Sequence, residues 1–275
     1  MTMDPTSPPA SDYARYTRLQ VSRDRRIATV TLNRPDSLNA VDGTMHRELS
    51  TVFDELAEDA EVSVIVLTGS GRAFCAGGDL DWMRGTLDKR PPFLHSLREG
   101  RRIVLGMLDC PKPIICRLNG DAVGFGATIA LLCDITIAAT HARIGDPHVR
   151  IGLVAGDGGA LIWPQLVGYA RAKEYLLTGN LMDAVEAERI GLINHVVPAE
   201  ELDARVERFA SQLASGAQAA IRYTKLCTNI PLRQMVVSVL DQSLACEGLT
   251  FFQNEDLREG LDALQAGRKP RFPPA

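Results

Sequence analysis

Aromatic side chains make up only 5% of this 275-residue chain. No run of apolar residues approaches the roughly 20 needed to span a bilayer, so no membrane-crossing segment is expected. Basic residues are not in excess either: 30 Lys and Arg stand against 34 Asp and Glu, for a formal net charge of -4. Without a dense basic cluster or interleaved aromatics, broad binding to nucleic acid or to an anionic membrane is excluded. The six cysteines are scattered, with no C-x-x-C and no histidine pair at zinc spacing. They read as idle reduced thiols, with neither a disulfide framework nor a metal site. The opening "MTMDPTSPPASDY" is acidic and rich in Pro and Ser, unlike a signal peptide, and a cytoplasmic protein is expected.

Two nucleotide motifs are missing as well. No G-K-[ST] occurs, which excludes a phosphate loop of that type. "GFGATI" supplies G-x-G, but Ile129 stands where a third glycine belongs. The strand "ITIAAT" then runs into His141 without the acid that would hold a ribose.

What is present alternates between the two periodicities. "RIATVTL" (26–32) is short and β-branched, and "VSVIVLTG" (62–69) is a near-continuous apolar run, as for a strand buried on both faces. From Val41 the positions Met45, Leu49, Val52, Phe53 and Leu56 recur at steps of three and four, which predicts a helix capped by Asp42 or Thr44. A second helix follows "PP" at 91–92 and stops at "CPKP". Strand 114–120, a glycine turn, helix 127–134 and strand 135–140 come next. Asp183 and Glu186 stand at capping-box spacing, with Gly191 as the stop. Further helices are expected near 200–214, 217–228, 232–248 and 254–266. Residues 1–14 and the tail "KPRFPPA" carry too much proline for regular structure and are expected to be mobile. The reading is a disordered segment 1–14, an α/β core over 15–195 and a helical region over 196–275.

Chemistry is suggested by three glycine-rich turns: "FCAGGDL" (74–80), "NGDAVGFGATIALLCD" (119–134) and "VAGDGG" (154–159). Glycine permits positive φ and lets a ligand approach the backbone, and N–H groups left unpaired there stabilise negative charge. Two such turns, each preceded by a buried strand, suggest a backbone oxyanion hole. The stretch "GDPHVRIGLVAGDGG" (145–159) adds an imidazole and several acids.

Taken in order, "NRPDSLNAVD", "GRAFCAGGDL", "KPIICRLNGDAVGFGATIALLCDITIAA", "IGLVAGDGG" and "EAERIGLINHVVP" resemble the enoyl-CoA hydratase/isomerase (crotonase) superfamily over roughly residues 18–270. The resemblance implies an α/β core of stacked ββα turns with a C-terminal helical trimerisation region, assembled as a homotrimer or homohexamer. It implies an acyl-CoA thioester substrate and no cofactor beyond the coenzyme A of that substrate. The oxyanion donors it implies are the backbone N–H groups of Gly78 and Phe125. Ser37, Leu38 and Ala40 should lie near the adenine end of CoA. Ala76, Gly78 and Leu80 should line the pantetheine and thioester, with Asp79 in the same turn. Asp81, Trp82, Arg84 and Trp163 would shape the acyl pocket; Phe252, Arg268 and Lys269 would approach CoA from the C-terminal region, the basic pair standing otherwise as a solvated helix end.

The chain departs from the family where the chemistry is done. By the same resemblance, hydratases place two glutamates where this sequence has Thr128 and His148. Threonine is no general base near neutral pH, but histidine is, with an ordinary pKa of about 6.5. His148 is therefore either a proton-transfer group or a structural histidine. Asp157 either faces the substrate or caps the helix beginning near Ala160. Asp146 reads as a turn residue before Pro147. The resemblance implies hydration of a 2-enoyl-CoA or double-bond isomerisation; the missing glutamate pair speaks against the two-glutamate route to hydration, whereas isomerisation needs only one base that takes and returns a proton. Hydrolysis, decarboxylation and non-catalytic acyl-CoA binding stay open.

Overall fold

In a computed structural model, which describes residues 13–273 apart from 88 and 254, the chain forms two sheets wrapped by helices. Strands β1 (Leu19–Asp24) and β2 (Ile27–Leu32) make an antiparallel hairpin. Helix α1 (Gly43–Glu58) leads to β3 (Val64–Gly69), which pairs in parallel with β2. Helices α2 (Leu80–Thr86) and α3 (Arg90–Asp109) precede β4 (Ile114–Leu118). A short β5 (Ala122–Val123) and α4 (Phe125–Leu131) follow, then β6 (Ile135–Ala139) and β7 (Arg143–Gly145). Next come α5 (Gly159–Thr178), β8 (Met182–Asp183), α6 (Ala184–Arg189) and β9 (His195–Val197). The strand orders are β1-β2-β3-β4-β6-β9 in the large sheet and β5-β7-β8 in the small one. After β9 the chain is helical: α7 (Leu202–Ser215), α8 (Gln218–Met235), a π turn (Val236–Leu240), α9 (Asp241–Phe252) and α10 (Glu255–Gln265).

The apolar run of β3 is explained by helices on both sides of the sheet. Ile65 and Leu67 enter the main core with Leu49, Phe53 and Met107 from α1 and α3. Val64 and Val66 face the other way, onto Leu202, Val206 and Ala210 of α7. Each such side chain withdrawn from water contributes about 1.5–3 kcal/mol. Asp42, not Thr44, caps α1, accepting from the N–H groups of Thr44 and Met45 at 3.1 and 2.8 Å. Asp183 caps α6 through the Glu186 N–H at 2.7 Å, but the Glu186 carboxylate turns to Arg189 instead of closing the box.

Several expectations are corrected. The helices expected at 217–228 and 232–248 are one continuous helical run, Gln218–Phe252, because the π turn absorbs the break. By length and composition that run would pass for a membrane-crossing helix, although Arg222, Lys225, Arg233 and Asp241 interrupt its apolar residues. It packs along α3 and α5, and Tyr223, Ile230 and Val237 stand exposed at intervals of seven residues. The C-terminal tail does lack regular structure, yet Lys269, Pro270 and Phe272 line the main cavity. Of the N-terminal segment expected to be disordered, residues 1–12 lie outside the described residues, while Tyr13–Arg15 form a single helical turn.

Candidate active site

The two glycine turns expected to hold an oxyanion pack against one another. Residues 75 and 122 form a parallel bridge. A methyl group built on Gly126 would fall 2.5 Å from the Cys75 carbonyl oxygen, and one on Gly77 2.9 Å from that of Val123. Gly77 also has φ +93°, a conformation that side chains rarely tolerate. Among the described residues the N–H groups of Gly78 and Phe125 donate to no backbone acceptor. Phe125 opens α4, so its N–H has no partner within the helix.

Both residues line a cavity of about 1050 Å³. Helix α2 contributes Leu80, Trp82 and Met83, α3 contributes Phe93, Ser96 and Leu97, and the C-terminal helices contribute Leu244, Glu247, Phe251 and Leu264. Of the residues named from the sequence, Ala76, Gly78, Leu80, Trp82, Arg268 and Lys269 line this one cavity.

Other candidates lie elsewhere. Asp79 caps α2 through the Trp82 N–H at 2.9 Å and pairs with Arg34 at 2.9 Å. Ser37, Leu38 and Ala40 sit beside the first turn without lining the cavity; the Leu38 carbonyl accepts from the Ala76 N–H at 3.0 Å. Asp81 is exposed outside the lining, and Arg84 is drawn to Asp262 at 2.7 Å. Trp163 is wholly buried in the core, packed near Tyr175, and so does not shape the acyl pocket. Phe252 packs edge-on against Phe93 at 5.2 Å, leaving Phe251 to line the cavity.

The stretch after β7 builds the charged wall. His148 opens a single helical turn (His148–Ile151) that Gly152 ends at φ +73°. Its ring stands over Gly124, where an added methyl group would fall 3.4 Å from Cε1. Nδ1 of His148 is hydrogen-bonded to Asp146, and Nε2 lies 3.4 Å from Asp157 Oδ2. Asp146 is thus more than a turn residue: it is 1% exposed and anchors the imidazole. The Thr128 hydroxyl donates to Asp157 Oδ1 at 3.2 Å. Helix α5 has Gly158 as its N-cap, so Asp157 is not the cap expected near Ala160, although the Gly159 N–H does reach its carboxylate.

Electrostatics separate the roles. Burial alone would lower the His148 pKa, but Asp146 and then Asp157 outweigh it and raise it to about 10. At neutral pH the ring is an imidazolium set between Asp146 and Asp157, a poor base. Burial pushes Asp157 above the ordinary carboxylate range, although His148 and the Thr128 hydroxyl pull it back. With the ring already protonated, Asp157 is the remaining candidate acceptor on this wall. Burial pushes the neighbouring Cys75 thiol up to about 12, which leaves no thiolate nucleophile there.

Ligand atoms of Asp146, His148 and Asp157 all lie within 4.8 Å of one another, close enough to consider a cation. A metal, however, needs a free imidazole lone pair, and here both ring nitrogens face carboxylate oxygens. The donor set suits a shared proton rather than a cation.

Two cavity residues were not singled out from the sequence. His46, from α1, lies between the rings of Trp82 and Phe125 (centroids 5.6 and 5.5 Å away) and bonds Glu99 at 2.8 Å. Glu247 reaches the cavity from α9.

The family model for enoyl-CoA hydratase/isomerase matches residues 22–274. The chain belongs to the enoyl-CoA hydratase/isomerase family. It is 35% identical over 255 residues to the short-chain-enoyl-CoA hydratase of Clostridium acetobutylicum, covering 90% of this chain and 95% of that one. It is 32% identical over 261 residues to the crotonyl-CoA hydratase of Syntrophomonas wolfei, covering 94% and 98%. The crystal structure of an enoyl-CoA hydratase/isomerase from Mycobacterium paratuberculosis superposes with a TM-score of 0.86 at 39% identity, covering 90% of this chain and 98% of the other. Membership accounts for the crotonase fold with its helical C-terminal region, and for an acyl-CoA enzyme of the hydratase/isomerase kind.

Proposed function

We propose that the protein moves the double bond of an enoyl-CoA through a thioester enolate. The backbone N–H groups of Gly78 and Phe125 hold the thioester oxygen, and Asp157 takes the proton from Cα. The observation that carries this reading is the placement of Asp157. Its carboxylate, held by Thr128 and facing His148, lines the same cavity as the two glycine turns. Each oxyanion donor supplies about 3–4 kcal/mol of transition-state stabilisation, and a positioned base about 10²–10⁴-fold in rate. Thr128 and His148 stand where the family's hydratases are expected to carry glutamates, so a two-glutamate hydration at those positions is not available to this chain. His148 acts as a cationic positioning residue that keeps Asp157 oriented and tempers its proton affinity.

The remaining expectations belong to the same proposal. Ser37, Leu38 and Ala40, beside the first turn, meet the adenine end of CoA, and Lys269 supplies positive charge along the cavity. No metal or redox cofactor takes part, so a chelator should leave turnover unchanged. The exposed stripe Tyr223, Ile230, Val237 suits burial between copies in a homotrimer or homohexamer, which light scattering would read directly. A cytoplasmic location is proposed on the sequence reading alone.

The deciding experiment offers crotonyl-CoA and 3-enoyl-CoAs to the enzyme, following absorbance, product mass and exchange of the α-hydrogen in deuterated water. Isomerisation with α-exchange is expected. Release of free CoA would point to a hydrolase and loss of carbon dioxide to a decarboxylase. Binding without exchange across a broad thioester panel would make the protein an acyl-CoA binder and overturn the proposal.

A further inference from the structure

The cavity contains one carboxyl group that the enolate reading leaves without a task. Glu247 projects from α9, about ninety residues after Asp157 in the chain, and lines the cavity with His148 and Asp157. It packs against the loop that carries Asp157: a methyl group built on Gly156 would fall 2.6 Å from Glu247 Cβ and 2.8 Å from Oε2. The backbone there is held by Ser243, one turn earlier on α9, whose hydroxyl donates to the Gly156 carbonyl at 2.8 Å. Among the described residues, Oε2 of Glu247 has no hydrogen-bond partner, and it has almost no exposed surface. A buried carboxyl oxygen left unpaired is costly unless the group is protonated or meets a ligand.

We propose that Glu247 is the second proton-transfer residue of the cavity, delivering a proton to the acyl γ-carbon while Asp157 serves the α-carbon. The inference rests on the enolate reading above. In the forward direction the Asp157 carboxylate takes the α-proton of a 3-enoyl thioester, giving a dienolate held by the two N–H donors. The Glu247 carboxylic acid then protonates Cγ as the double bond shifts into conjugation. Asp157 ends protonated and Glu247 ionised, and one proton passed between them through solvent restores both. No other reactant is consumed.

The protonation this requires is consistent with the surroundings. Burial, and then the charge of Asp157, raise the Glu247 pKa to about 8, against a smaller opposing pull from His148 and a further push from Asp146. Those three groups, on the 145–159 stretch, are the charges that act on it. Arg101, from the adjacent α3, is taken up by Asp241 at 2.6 Å, near the start of α9. Glu247 is thus held as an acid at neutral pH, while the His148 ring and the Thr128 hydroxyl each favour the ionised form of Asp157.

The test compares wild type with Glu247→Gln and Glu247→Asp in two assays: isomerisation of a 3-enoyl-CoA, and exchange of the α-hydrogen of a saturated acyl-CoA in deuterated water. The wild type should lose isomerase activity above about pH 8. Glu247→Gln should lose isomerisation by about 100-fold or more and keep α-exchange within about threefold. Glu247→Asp should keep part of the activity, with its alkaline limb displaced. Isomerisation by Glu247→Gln within threefold of wild type would overturn the proposal and leave the enolate reading standing. A parallel loss of both activities in both variants would overturn it too, marking Glu247 as structural. If the wild type exchanges no α-hydrogen, the enolate reading fails first and this inference with it.

Discussion

His148 and Asp157 face one another across 3.4 Å, Nε2 to Oδ2, while Asp146 holds the opposite nitrogen of the same ring. The ring therefore sits between two acids, and its charge is part of the fold. Its pKa is raised to about 10 from an unfolded value of 6.5. For a histidine raised on folding, the stabilisation is fully present below pH 6.5 and is lost as pH rises through about 10.

The first expected outcome follows from that sign. The melting temperature of the wild type should fall as pH rises from 7 to 10, and His148→Gln should show a shallower fall. At pH 7 the variant should be destabilised by about 3–5 kcal/mol, the cost of leaving a buried carboxylate unpaired. Urea titrations at pH 6, 8 and 10 would measure both effects. Equal pH slopes in the two proteins would mean that the ring is not an imidazolium.

Asp157→Asn should separate binding from chemistry. The amide keeps the shape and still accepts from Thr128, so acyl-CoA affinity should change by less than about threefold. Turnover should fall by about 10²–10⁴, the usual contribution of a positioned base. Calorimetry with a saturated acyl-CoA, beside initial rates, would read the two apart. Wild-type turnover in this variant would return the base role to His148.

Thr128→Val tests what holds the base in place. The hydroxyl bond at 3.2 Å draws the Asp157 pKa downward against burial. Removing it should move the acidic limb of the pH-rate profile to higher pH and cost about 0.5–1.5 kcal/mol of stability. An unmoved limb with lowered turnover would indicate that Thr128 acts on the substrate instead.

Glu247→Gln carries a stability outcome separate from its kinetics. A carboxyl whose pKa rises on folding, here from 4.5 to about 8, is fully stabilising only below 4.5 and loses that contribution as pH rises through 8. The glutamine variant should therefore melt above wild type at pH 8–9, and the gap should close toward pH 4.5. Differential scanning calorimetry across that range measures it. A variant less stable than wild type at pH 9 would show that the ionised carboxylate is well satisfied in the native protein.

The sequence made the scaffold legible because its signals are local. The unbroken apolar run of β3 needs helices on both faces, and Asp42 caps the helix that the spacing of Met45, Leu49 and Val52 demands. Strands of two residues, β5 and β8, carry no periodicity to detect. The site was legible only in part, for the same reason. Gly78, Phe125, His148 and Asp157 announce themselves through glycine turns, but Glu247 reaches them from a helix far along the chain. Its one signal was an acid within the mostly apolar "LACEGLTFF". Trp163 differs in the opposite sense: it was expected at the acyl pocket, but α5 turns it into the core.

Gly77→Ala tests the proposed oxyanion turn without removing any side chain. At φ +93° an alanine is strained, and its methyl would lie 2.9 Å from the Val123 carbonyl oxygen, a backbone atom that cannot easily yield. The strain should cost about 1–3 kcal/mol of stability. The two turns would part, tilting the neighbouring Gly78 N–H away from the thioester oxygen, and loss of one such donor lowers kcat by about 10²–10³. Gly85→Ala is the matched control. Gly85 lies within α2 with nothing within 4 Å of the added methyl, so this change should stabilise slightly and leave kcat as it was. The binding of CoA to Gly77→Ala should weaken far less than its turnover, because the donor grips the oxygen hardest once that oxygen carries the enolate charge. If kcat and affinity fall together by similar factors, the turn serves to bind the thioester and contributes nothing specific to the enolate.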